Sequence, residues 1–414
     1  MFSETVELRG HIIDSLILPK VLDEILTRGA EFTIAEIRIG QNRVDQSYAR
    51  IDVSSASNDA LGDLLLRLRQ HGAEVVERKE VQLAPAPADG VFPEDFYVTT
   101  NQQTFAQIGG KELAVESPMM DSAIVVNRDG RTARSVKFYE VRKGDDVVVG
   151  QQGIRVQAAE RETSHTSVFN FNNQISSETP KTAIIRELAG EFQRIRKEHG
   201  QILVVAGPAV VHTGAGAYLE SLITHGYVQR LFTGNGLAVY DVESALYGTS
   251  LGVNLEHGAL SDAGHVNHMR AINRIREAGG IAEAVEQKIL TRGIMHACVR
   301  QGVDIVLSGS IRDDGPIPGV TTDAVEAQRI MREKVRDVAL VLMMGSMLHS
   351  IAVLNMVPAT VKIVCVDIDP RVVNRLTSYQ PFQAVGLVTD VKPFLRELTE
   401  NIEASAGANG AAVA

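Results

Sequence analysis

The chain has 414 residues and a formal net charge of −10 at pH 7. Hydrophobic residues make up 44% of the sequence and charged residues 22%, an ordinary balance for a globular protein with a sizeable core. The acidic charge and the lack of a long basic run argue against nucleic acid as the main partner, because phosphate contacts depend on Lys and Arg.

The sequence gives no indication of a membrane span, a signal peptide or a disulfide framework. Its longest uncharged apolar stretch, Val338 to Leu348, is about half of the roughly 20 residues that a membrane helix needs. The N-terminus has no basic region followed by an apolar core, as a signal peptide would. The two cysteines, Cys298 and Cys365, lie in apolar surroundings and are interpreted as buried, inert thiols. We therefore predict a cytoplasmic location.

Residues 1–88 are predicted to form a small α+β domain. The hydrophobic periodicity indicates a strand over 4–13, a helix over 16–28, strands over 32–39 and 47–53, a helix over 61–71 and a strand over 73–83. This order, β-α-β-β-α-β, is that of a ferredoxin-like split unit. The Pro- and Ala-rich segment that follows, residues 84–90, is predicted to be a linker.

Residues 91–178 have a different pattern, that of a small β-rich middle domain. Short apolar strands are expected over 96–99, 123–127, 136–141 and 146–149, with polar and glycine-containing turns between them. Short strands with such turns are typical of a small antiparallel barrel or sandwich.

Residues 179–403 are predicted to form a doubly wound α/β domain. Near-continuously apolar strands alternate with helices, which indicates a parallel sheet covered on both faces. The last residues, 404–414, are mostly small and predict a disordered tail. The strands are expected at 202–206, 228–232, 303–307, 338–343, 361–366 and 384–388.

The carboxyl ends of these strands are where ligands of such sheets bind. Glycine turns follow the first two strands, and backbone N–H groups at a helix start favour a phosphate. Acids at later ends can accept hydrogen bonds from ribose hydroxyls. Any one end taken alone is also an ordinary turn, and the Gly-x-Gly-x-x-Gly fingerprint is missing. The strand ends together predict a nucleotide site built from Gly207, His212, Thr213, Gly214, Gly234, Asn235, Gly236, Ser308, Gly309, Arg312, Asp313, Asp314, Gly345, Ser346, Asp367, Asp369, Thr389 and Asp390.

A histidine-rich segment, residues 254–270, follows the first two glycine turns. A zinc site is disfavoured, because His265 and His268 lack the glutamate of the helical zinc motif and no cysteine pair joins them. An acid before a helical run suits an N-terminal cap, whereas histidines that titrate near neutrality suit proton transfer in an active-site loop. Both interpretations stay open for the polar residues of this segment, which are Glu256, His257, Asp262, His265, His268 and Arg270.

A second charged segment runs from Ser310 to Pro316. Arg312 can hold a carboxylate at two points, and the acids Asp313 and Asp314 can hold hydroxyls or an ammonium group. A charged surface turn is the alternative. The segment from Met344 to His349 is interpreted as a strand-to-helix turn with a core-facing helix rather than a catalytic element.

Several of these segments resemble a known family. Residues 10–15 with Leu18-Pro19-Lys20 resemble the opening of the domain labelled lysine-oxoglutarate reductase/saccharopine dehydrogenase. Residues 207–215, 241–252 and 312–316 resemble the archaeal-type ornithine cyclodeaminases, a module that is also the C-terminal half of cyanobacterial bifunctional arginine dihydrolase/ornithine cyclodeaminases. The resemblance covers nearly the whole chain except the tail. It also implies a deoxyhypusine-synthase-like NAD-binding sheet, which would explain the missing fingerprint.

The resemblance implies a tightly held NAD and the conversion of L-ornithine to L-proline and ammonia. Gly236 stands where this family is expected to have alanine, a change that a turn tolerates. No metal is expected, and the expected assembly is a homodimer or homotetramer. The implied NAD contacts are Asn235, Gly236, Asp313 or Asp314, Gly345, Ser346, Met347, Leu348, Asp367, Asp390 and Val391.

The implied reaction places demands on side chains. Hydride leaves the ornithine Cα for NAD, the δ-amine attacks the resulting imine, ammonia departs, and the cyclic imine takes the hydride back. An arginine, Arg312 or Arg270, is expected to hold the carboxylate, and Glu256, His257 and His265 are the leading candidates for proton transfer. Two alternatives are a dehydrogenase of the saccharopine or opine sort, which consumes NAD, and a non-catalytic nucleotide-regulated sensor. A lysine cyclodeaminase is a third, because ornithine and lysine differ by one methylene, which is worth only about 1–3 kcal/mol in a pocket.

Overall fold

The computed structural model describes residues 2–13, 16–40, 45–75, 80–127, 129, 131–157, 181–251, 253–254, 264–313, 315–379 and 383–411. The chain divides into two compact units. The first comprises Met1–Thr166 with Pro358–Thr360, and the second comprises Ser167–Val357 with Val361–Ala414. The first unit therefore contains most of both small regions that the sequence predicts.

The first unit begins with a four-stranded antiparallel sheet. Its elements follow the predicted order: β1 (Phe2–Gly10), α1 (Ile17–Thr27), β2 (Glu31–Arg38), β3 (Ser47–Ser55), α2 (Asn58–Gln70) and β4 (Glu74–Val75). The strands lie side by side in the order β2-β3-β1-β4. Apolar side chains of β1 and β3, among them Leu8 and Ile51, are buried with Val21 of α1 and Leu64 of α2. Alternating apolar positions on the strands thus form one buried face.

The same unit contains a seven-stranded β sheet. It comprises β5 (Gln82–Pro85), β6 (Gln103–Ile108), β7 (Lys111–Glu116), β8 (Ala123–Asn127), β9 (Thr132–Val136), β10 (Asp146–Val149) and β11 (Ile154–Gln157), in the order β11-β6-β7-β9-β8-β10-β5. The pairing is antiparallel except between β7 and β9, which are parallel.

Four predictions for this region are wrong. The strand predicted over 73–83 is divided between β4 and β5, which belong to different sheets. The strand predicted over 136–141 stops at its first residue, because Val136 ends β9 and Phe138–Glu140 form a 3-10 helix. The start of the predicted linker is not a linker, because Ala84 and Pro85 belong to β5 and pair with β10. Proline is tolerated there because β5 is an edge strand. The strand predicted over 96–99 is reduced to a single bridge between Phe96 and Val149.

The second unit is built around a seven-stranded parallel sheet. Its strands are β12 (Gln201–Ala206), β13 (Arg230–Gly234), β16 (Asp304–Ser308), β17 (Val320–Thr321), β18 (Val338–Met344), β19 (Lys362–Asp367) and β20 (Ala384–Val388). A short hairpin, β14 (Thr249–Ser250) and β15 (Val253–Asn254), lies outside it. The helices are α3 (Lys181–Lys197), α4 (Ala209–His212), α5 (Gly216–Thr224), α6 (Asn235–Tyr247), α7 (Gly264–Ala278), α8 (Ile281–Glu286), α9 (Ile294–Gln301), α10 (Ala324–Lys334), α11 (Met347–Leu354), α12 (Pro370–Tyr379) and α13 (Val391–Ala411).

The strand order of this sheet is β17-β16-β13-β12-β18-β19-β20. Its six long strands therefore have the order 3-2-1-4-5-6 of dinucleotide-binding sheets, with β17 added at one edge. The chain leaves β12 toward β13 and later returns to its other side with β18. The crevice between the carboxyl ends of β12 and β18 is the topological switch point, where ligands of such sheets bind.

Both faces of the parallel sheet are covered, which explains its continuously apolar strands. Val204 and Leu342 contribute to the core on one face, and Val205 and Val341 to the core on the other. The prediction that both cysteines are buried is confirmed. Burial raises the pKa of Cys365 to about 12, so this thiol stays protonated and unreactive.

The prediction of a disordered tail is wrong for residues 404–411, which belong to the last helix. Helix α13 extends to Ala411, and residues 412–414 lie outside the described residues. Alanine, which is frequent in this tail, has the highest intrinsic helix propensity, so a helix that begins at Val391 can continue through it. Among the described residues, no helix combines the length and the apolar composition that a membrane crossing requires.

Candidate active site

A cavity of about 500 Å³ lies at the switch point of the second unit. Its walls come from the ends of β12, β13 and β16, the first turns of α6 and α11, and the loop after β16. Nine of the residues predicted for the site line it: His212, Gly234, Asn235, Gly236, Ser308, Arg312, Asp313, Ser346 and Leu348. The structure thus brings together residues that end or follow four separate strands.

The two loops at the switch point approach each other closely. The Gly207 N–H donates to the carbonyl of Met344 at 2.8 Å. A Cβ on Gly207 would overlap the carbonyl oxygen of Gly345, and Gly345 itself has a φ of 61°. Only glycine allows this approach of two backbones at the floor of the crevice.

The predicted turn around Gly214 has a different position from the one that the sequence indicates. Strand β12 is followed directly by α4, so the turn connects α4 to α5 and does not sit at the strand end. Of this stretch, Pro208 and His212 line the cavity, whereas Thr213 and Gly214 do not. The short helix α4, which the sequence pattern did not indicate, moves the turn around Gly214 away from the end of β12.

Helix α6 begins at the second predicted glycine turn and carries several site residues. The side-chain oxygen of Asn235 accepts from the Ile317 N–H at 3.1 Å, which ties the start of the helix to the loop after β16. A Cβ on Gly236 would lie 3.6 Å from the Tyr240 ring and 3.7 Å from Pro208, ordinary contact distances. The structure therefore has room for the alanine that the family resemblance leads us to expect at position 236.

Two faces of α6 carry acids into the protein interior. Gly236, Tyr240 and Glu243 are four and three residues apart and share one face, which extends from the cavity inward. Asp241 lies on another face, where its carboxylate accepts from the N–H groups of Ile294 and Met295 at 2.9 and 2.8 Å. Asp241 therefore satisfies the first turn of α9 and has a structural role.

Glu243 is fully buried and is held by hydrogen bonds on both oxygens. The Thr249 hydroxyl donates to Oε1 at 2.8 Å, and the Leu251 N–H donates to Oε2 at 3.2 Å. The Asn267 amide in turn donates to the Thr249 hydroxyl at 3.2 Å. His268 Nδ1 lies 3.6 Å from Glu243 Oε2.

Two histidines flank Tyr240 at the wall of the cavity. Ring centroids are 4.6 Å apart for His212 and Tyr240, and 5.1 Å apart for Tyr240 and His268. His212 Nδ1 is 2.7 Å from the Ser250 hydroxyl. Partial burial lowers the pKa of His212, and the nearby Glu243 opposes this shift. His268 is the buried histidine, with 5% of its surface exposed.

The loop after β16 forms another part of the cavity wall. The Asp313 carboxylate accepts from the Ser310 N–H at 2.8 Å and from the Ser310 hydroxyl at 3.2 Å, which closes a tight turn. Arg312 is exposed and lines the cavity, as a carboxylate-binding arginine would. Exposed apolar side chains, Leu251, Ile311 and Leu348, surround the same cavity.

Ser308 and His349 are two further polar groups in the lining. Ser308 is 8% exposed, and its hydroxyl has no hydrogen-bond partner among the described residues. A buried hydroxyl at a cavity wall without a partner in the protein is typical of a group that hydrogen-bonds a ligand. Burial lowers the pKa of His349, opposed by Asp313, so this imidazole is neutral at neutral pH.

The remaining predicted cofactor contacts lie outside the cavity lining. Gly345 and Met347 flank Ser346 at the start of α11, and Val391 is buried at the start of α13. Asp367 ends β19 and Asp390 lies just after β20, at the same edge of the sheet. Each accepts from a backbone N–H two residues ahead, at 2.9 and 2.8 Å.

The histidine-rich segment is only partly described. Glu256, His257 and Asp314 lie outside the described residues, and His265 is placed on α7 without a description of its side chain. Arg270, the alternative carboxylate ligand, is exposed and does not line the cavity. Within the described part of the chain, no cluster of His, Cys, Asp and Glu could hold a metal ion.

His268 was one of the residues of the histidine-rich segment for which a proton-transfer role stayed open. Three other residues of the site were not among the predicted positions: Tyr240, Glu243 and His349. A signal for the first two was present in the sequence, since α6 places polar groups within an otherwise apolar, buried helix. Buried acids are rare without a partner, so such a helix indicates a functional or structural site. His349 was assigned to a core-facing helix, whereas it lines the cavity.

Comparison with known families covers nearly the whole chain. A family described as the Rossmann-fold C-terminal region of ArgZ-like arginine dihydrolase matches residues 186–398. The first region of the same C-terminal part matches residues 103–185. A conserved region of the LOR/SDH bifunctional enzyme matches residues 3–102.

Three individual proteins illustrate the similarity. A protein of Methanocaldococcus jannaschii named ornithine cyclodeaminase is 49% identical over 409 residues, which is 97% of each chain. The apo crystal structure of ArgZ, a cyanobacterial arginine dihydrolase, matches with a TM-score of 0.84 and 35% identity over 98% of this chain and 59% of that one. A ternary complex of AgrE with ornithine and NAD⁺ matches with a TM-score of 0.54 and 37% identity over 98% of this chain and 58% of that one.

Proposed function

This chain belongs to the family of the ornithine cyclodeaminases and of the C-terminal region of ArgZ-like arginine dihydrolases, and from that membership we propose that it converts L-ornithine to L-proline and ammonia with NAD as a resident cofactor. The ternary complex of the related AgrE with ornithine and NAD⁺ supports the choice of both ligands. The observation that carries the proposal is the cavity at the switch point, which is lined by Arg312, by histidines and by the starts of two helices.

The site fits a dinucleotide. Gly207 and Gly345 leave no room for a Cβ between the two loops, so backbone rather than side chains forms the floor of the crevice. Helices α6 and α11 both begin at the cavity, and their N–H groups favour the negative charge of a pyrophosphate. The unpaired Ser308 hydroxyl is available to a polar group of a ligand.

The residues proposed to hold NAD fall into two groups along one edge of the sheet. Asn235, Gly236, Asp313, Ser346 and Leu348 line the cavity, with Gly345 and Met347 beside them. Asp367, Asp390 and Val391 follow the last two strands, where a carboxylate can accept from ribose hydroxyls. Asp314 remains proposed as an alternative to Asp313.

When bound, NAD supplies reversible hydride transfer at the substrate Cα. Arg312 is proposed to bind the substrate carboxylate and so orient Cα. The apolar rim of Leu251, Ile311 and Leu348 is proposed to exclude water, which would otherwise hydrolyse an imine. Glu256, His257 and His265 remain proposed for proton transfer, and an acid is proposed to hold the δ-ammonium group.

A single experiment separates this activity from its alternatives. The purified protein is incubated with ornithine, lysine or arginine, in one series without added cofactor and in a parallel series with added NAD⁺. Proline, pipecolate, ammonia and absorbance at 340 nm are measured in both series. The proposal predicts proline and ammonia in equal amounts from ornithine, with no accumulation of NADH. Net NADH would indicate a dehydrogenase, and pipecolate a lysine cyclodeaminase. Bound NAD without any product would indicate a sensor and contradict the proposal.

A further inference from the structure

A carboxylate is buried directly behind the cavity wall. Glu243 has no exposed side-chain surface, although a buried charge is costly unless it is paired and hydrogen-bonded. Its two oxygens accept from the Thr249 hydroxyl and the Leu251 N–H, donors that fix the plane of the carboxylate. This arrangement holds Oε2 at a defined position beside His268.

The position of that oxygen selects one tautomer of His268. Nδ1 lies 3.6 Å from Oε2, slightly longer than a hydrogen bond and within the range of an ion pair. An Nδ1 lone pair would be repelled by the carboxylate oxygen, whereas an Nδ1–H is attracted to it. A neutral imidazole that carries its proton on Nδ1 has its lone pair on Nε2, which then acts as the acceptor.

The His268 ring also reaches the cavity. It is among the lining residues and stacks on Tyr240, with 5.1 Å between ring centroids. Helix α6 supplies both Tyr240 and Glu243, so one element sets the position of the ring and of its carboxylate. His212 differs, since its Nδ1 is 2.7 Å from the Ser250 hydroxyl rather than a carboxylate.

Resting on the proposed function, we propose that His268 accepts the proton of the substrate α-ammonium group and that Glu243 is its positioning residue. One N–H bond of the ammonium breaks and one Nε2–H bond forms, so the amine keeps its lone pair and the imidazole gains the positive charge. That charge then lies beside the Glu243 carboxylate, which stabilises it. The pair therefore prepares the amine for the loss of hydride from Cα.

The tautomer is tested on the protein without substrate, so this result does not depend on the proposed function. Protein labelled with ¹⁵N-histidine is studied by long-range ¹H–¹⁵N NMR at alkaline pH, with the His268→Gln spectrum used for assignment. We expect the Nδ1–H tautomer in the wild type and a shift of the population toward Nε2–H in Glu243→Gln. An Nε2–H tautomer in the wild type, or an unchanged tautomer in Glu243→Gln, would overturn the positioning role.

Kinetics test the proton acceptor itself. We expect His268→Gln to lower kcat with ornithine at least about 100-fold, as for loss of a general base, while the bound NAD content is unchanged. Glu243→Gln should lower kcat more than it changes KM. His296→Gln is the matched control, because His296 is half-buried on α9 and does not line the cavity.

The outcomes distinguish the two proposals. An active wild type with an equally active His268→Gln refutes only the proton-acceptor role. A wild type that leaves ornithine unchanged refutes the proposed function and the proton-acceptor role together. If His268→Gln does not fold, as judged by its thermal unfolding, the kcat and KM of Glu243→Gln decide the question.

Discussion

Replacing Gly207 by alanine is expected to destabilise the second unit and to weaken NAD binding. The added Cβ would overlap the carbonyl oxygen of Gly345, and would lie 2.5 Å from its carbonyl carbon and 2.8 Å from Ser346 Cβ. Carbon atoms in contact normally lie about 3.5–4.0 Å apart, so the loop after β18 must move by about 1 Å. It cannot retreat freely, because Gly345 is in a left-handed conformation and packs against Ala209.

The magnitude follows from the cost of overpacking a rigid site, about 1–3 kcal/mol. Because backbone rather than a flexible side chain must move, we expect about 3 kcal/mol, which corresponds to a fall in Tm of about 6–12 °C for a domain of this size. Displacement of the crevice floor should also weaken the binding of NAD at least about tenfold, which corresponds to about 1.4 kcal/mol of binding free energy. Differential scanning calorimetry measures the first effect. Isothermal titration calorimetry of the protein stripped of its bound NAD measures the second.

Gly236→Ala is the matched control for Gly207→Ala. Its Cβ would meet Tyr240 and Pro208 at ordinary distances of 3.6 and 3.7 Å. Alanine in a helix is favoured over glycine by about 0.5–1 kcal/mol, so Tm should stay unchanged or rise. The reasoning is refuted if Gly207→Ala unfolds and binds NAD as the wild type does, or if Gly236→Ala loses as much stability.

Three further predictions concern single side chains. Ser308→Ala should change the stability of the ligand-free protein by no more than about 1 kcal/mol, as judged by its Tm, because the hydroxyl has no partner among the described residues. The same variant should bind NAD or ornithine about 3–10-fold more weakly in calorimetric titrations. Burial raises the pKa of Asp241 to about 7 from 3.8, so the folded protein holds this proton more tightly than the unfolded chain does. The free energy of unfolding that this proton contributes is fully present below about pH 4 and is lost as the pH rises through 7, by about 1 kcal/mol per pH unit between pH 5 and 7. Asp241→Asn should remove this pH-dependent loss. Parallel Tm-versus-pH curves for the two proteins would contradict the prediction. Arg312→Lys should raise the KM for ornithine about tenfold or more, because two-point binding of a carboxylate is lost. Arg274→Lys, which changes an exposed ion pair on α7, should leave the KM unchanged. Equal KM values for the two variants would exclude the carboxylate role of Arg312.

Much of the site was predictable because its signals are local. Apolar runs that end in glycine mark strand ends wherever they occur, and so Asn235, Gly236 and Ser346 were identified without knowledge of the strand order. The charged loop was found for the same reason, since Arg312 and Asp313 follow a buried strand. The error around Gly214 was also local, because the residues after Gly207 form a four-residue helix rather than a turn.

The pairing of Glu243 with His268 behind the cavity wall was not predictable from the sequence. Glu243 lies on α6 and His268 on α7, 25 positions apart in the sequence, and no local pattern indicates that the two side chains meet. Their 3.6 Å approach depends on the packing of two helices, and the orientation of the carboxylate depends on the short hairpin that contributes Thr249. Contacts of this kind are set by side-chain packing, which periodicity does not report.

The sequence by itself determined a parallel α/β domain, the set of strand ends and the family. Strand periodicity and glycine positions are properties of neighbouring residues, so they can be recognised along the chain. Only the tertiary structure decided which ends meet, because the order of strands depends on how helices pack against both faces of the sheet. That order places β12 beside β18, and with it the crevice between Gly207 and Gly345 in which the proposed chemistry takes place.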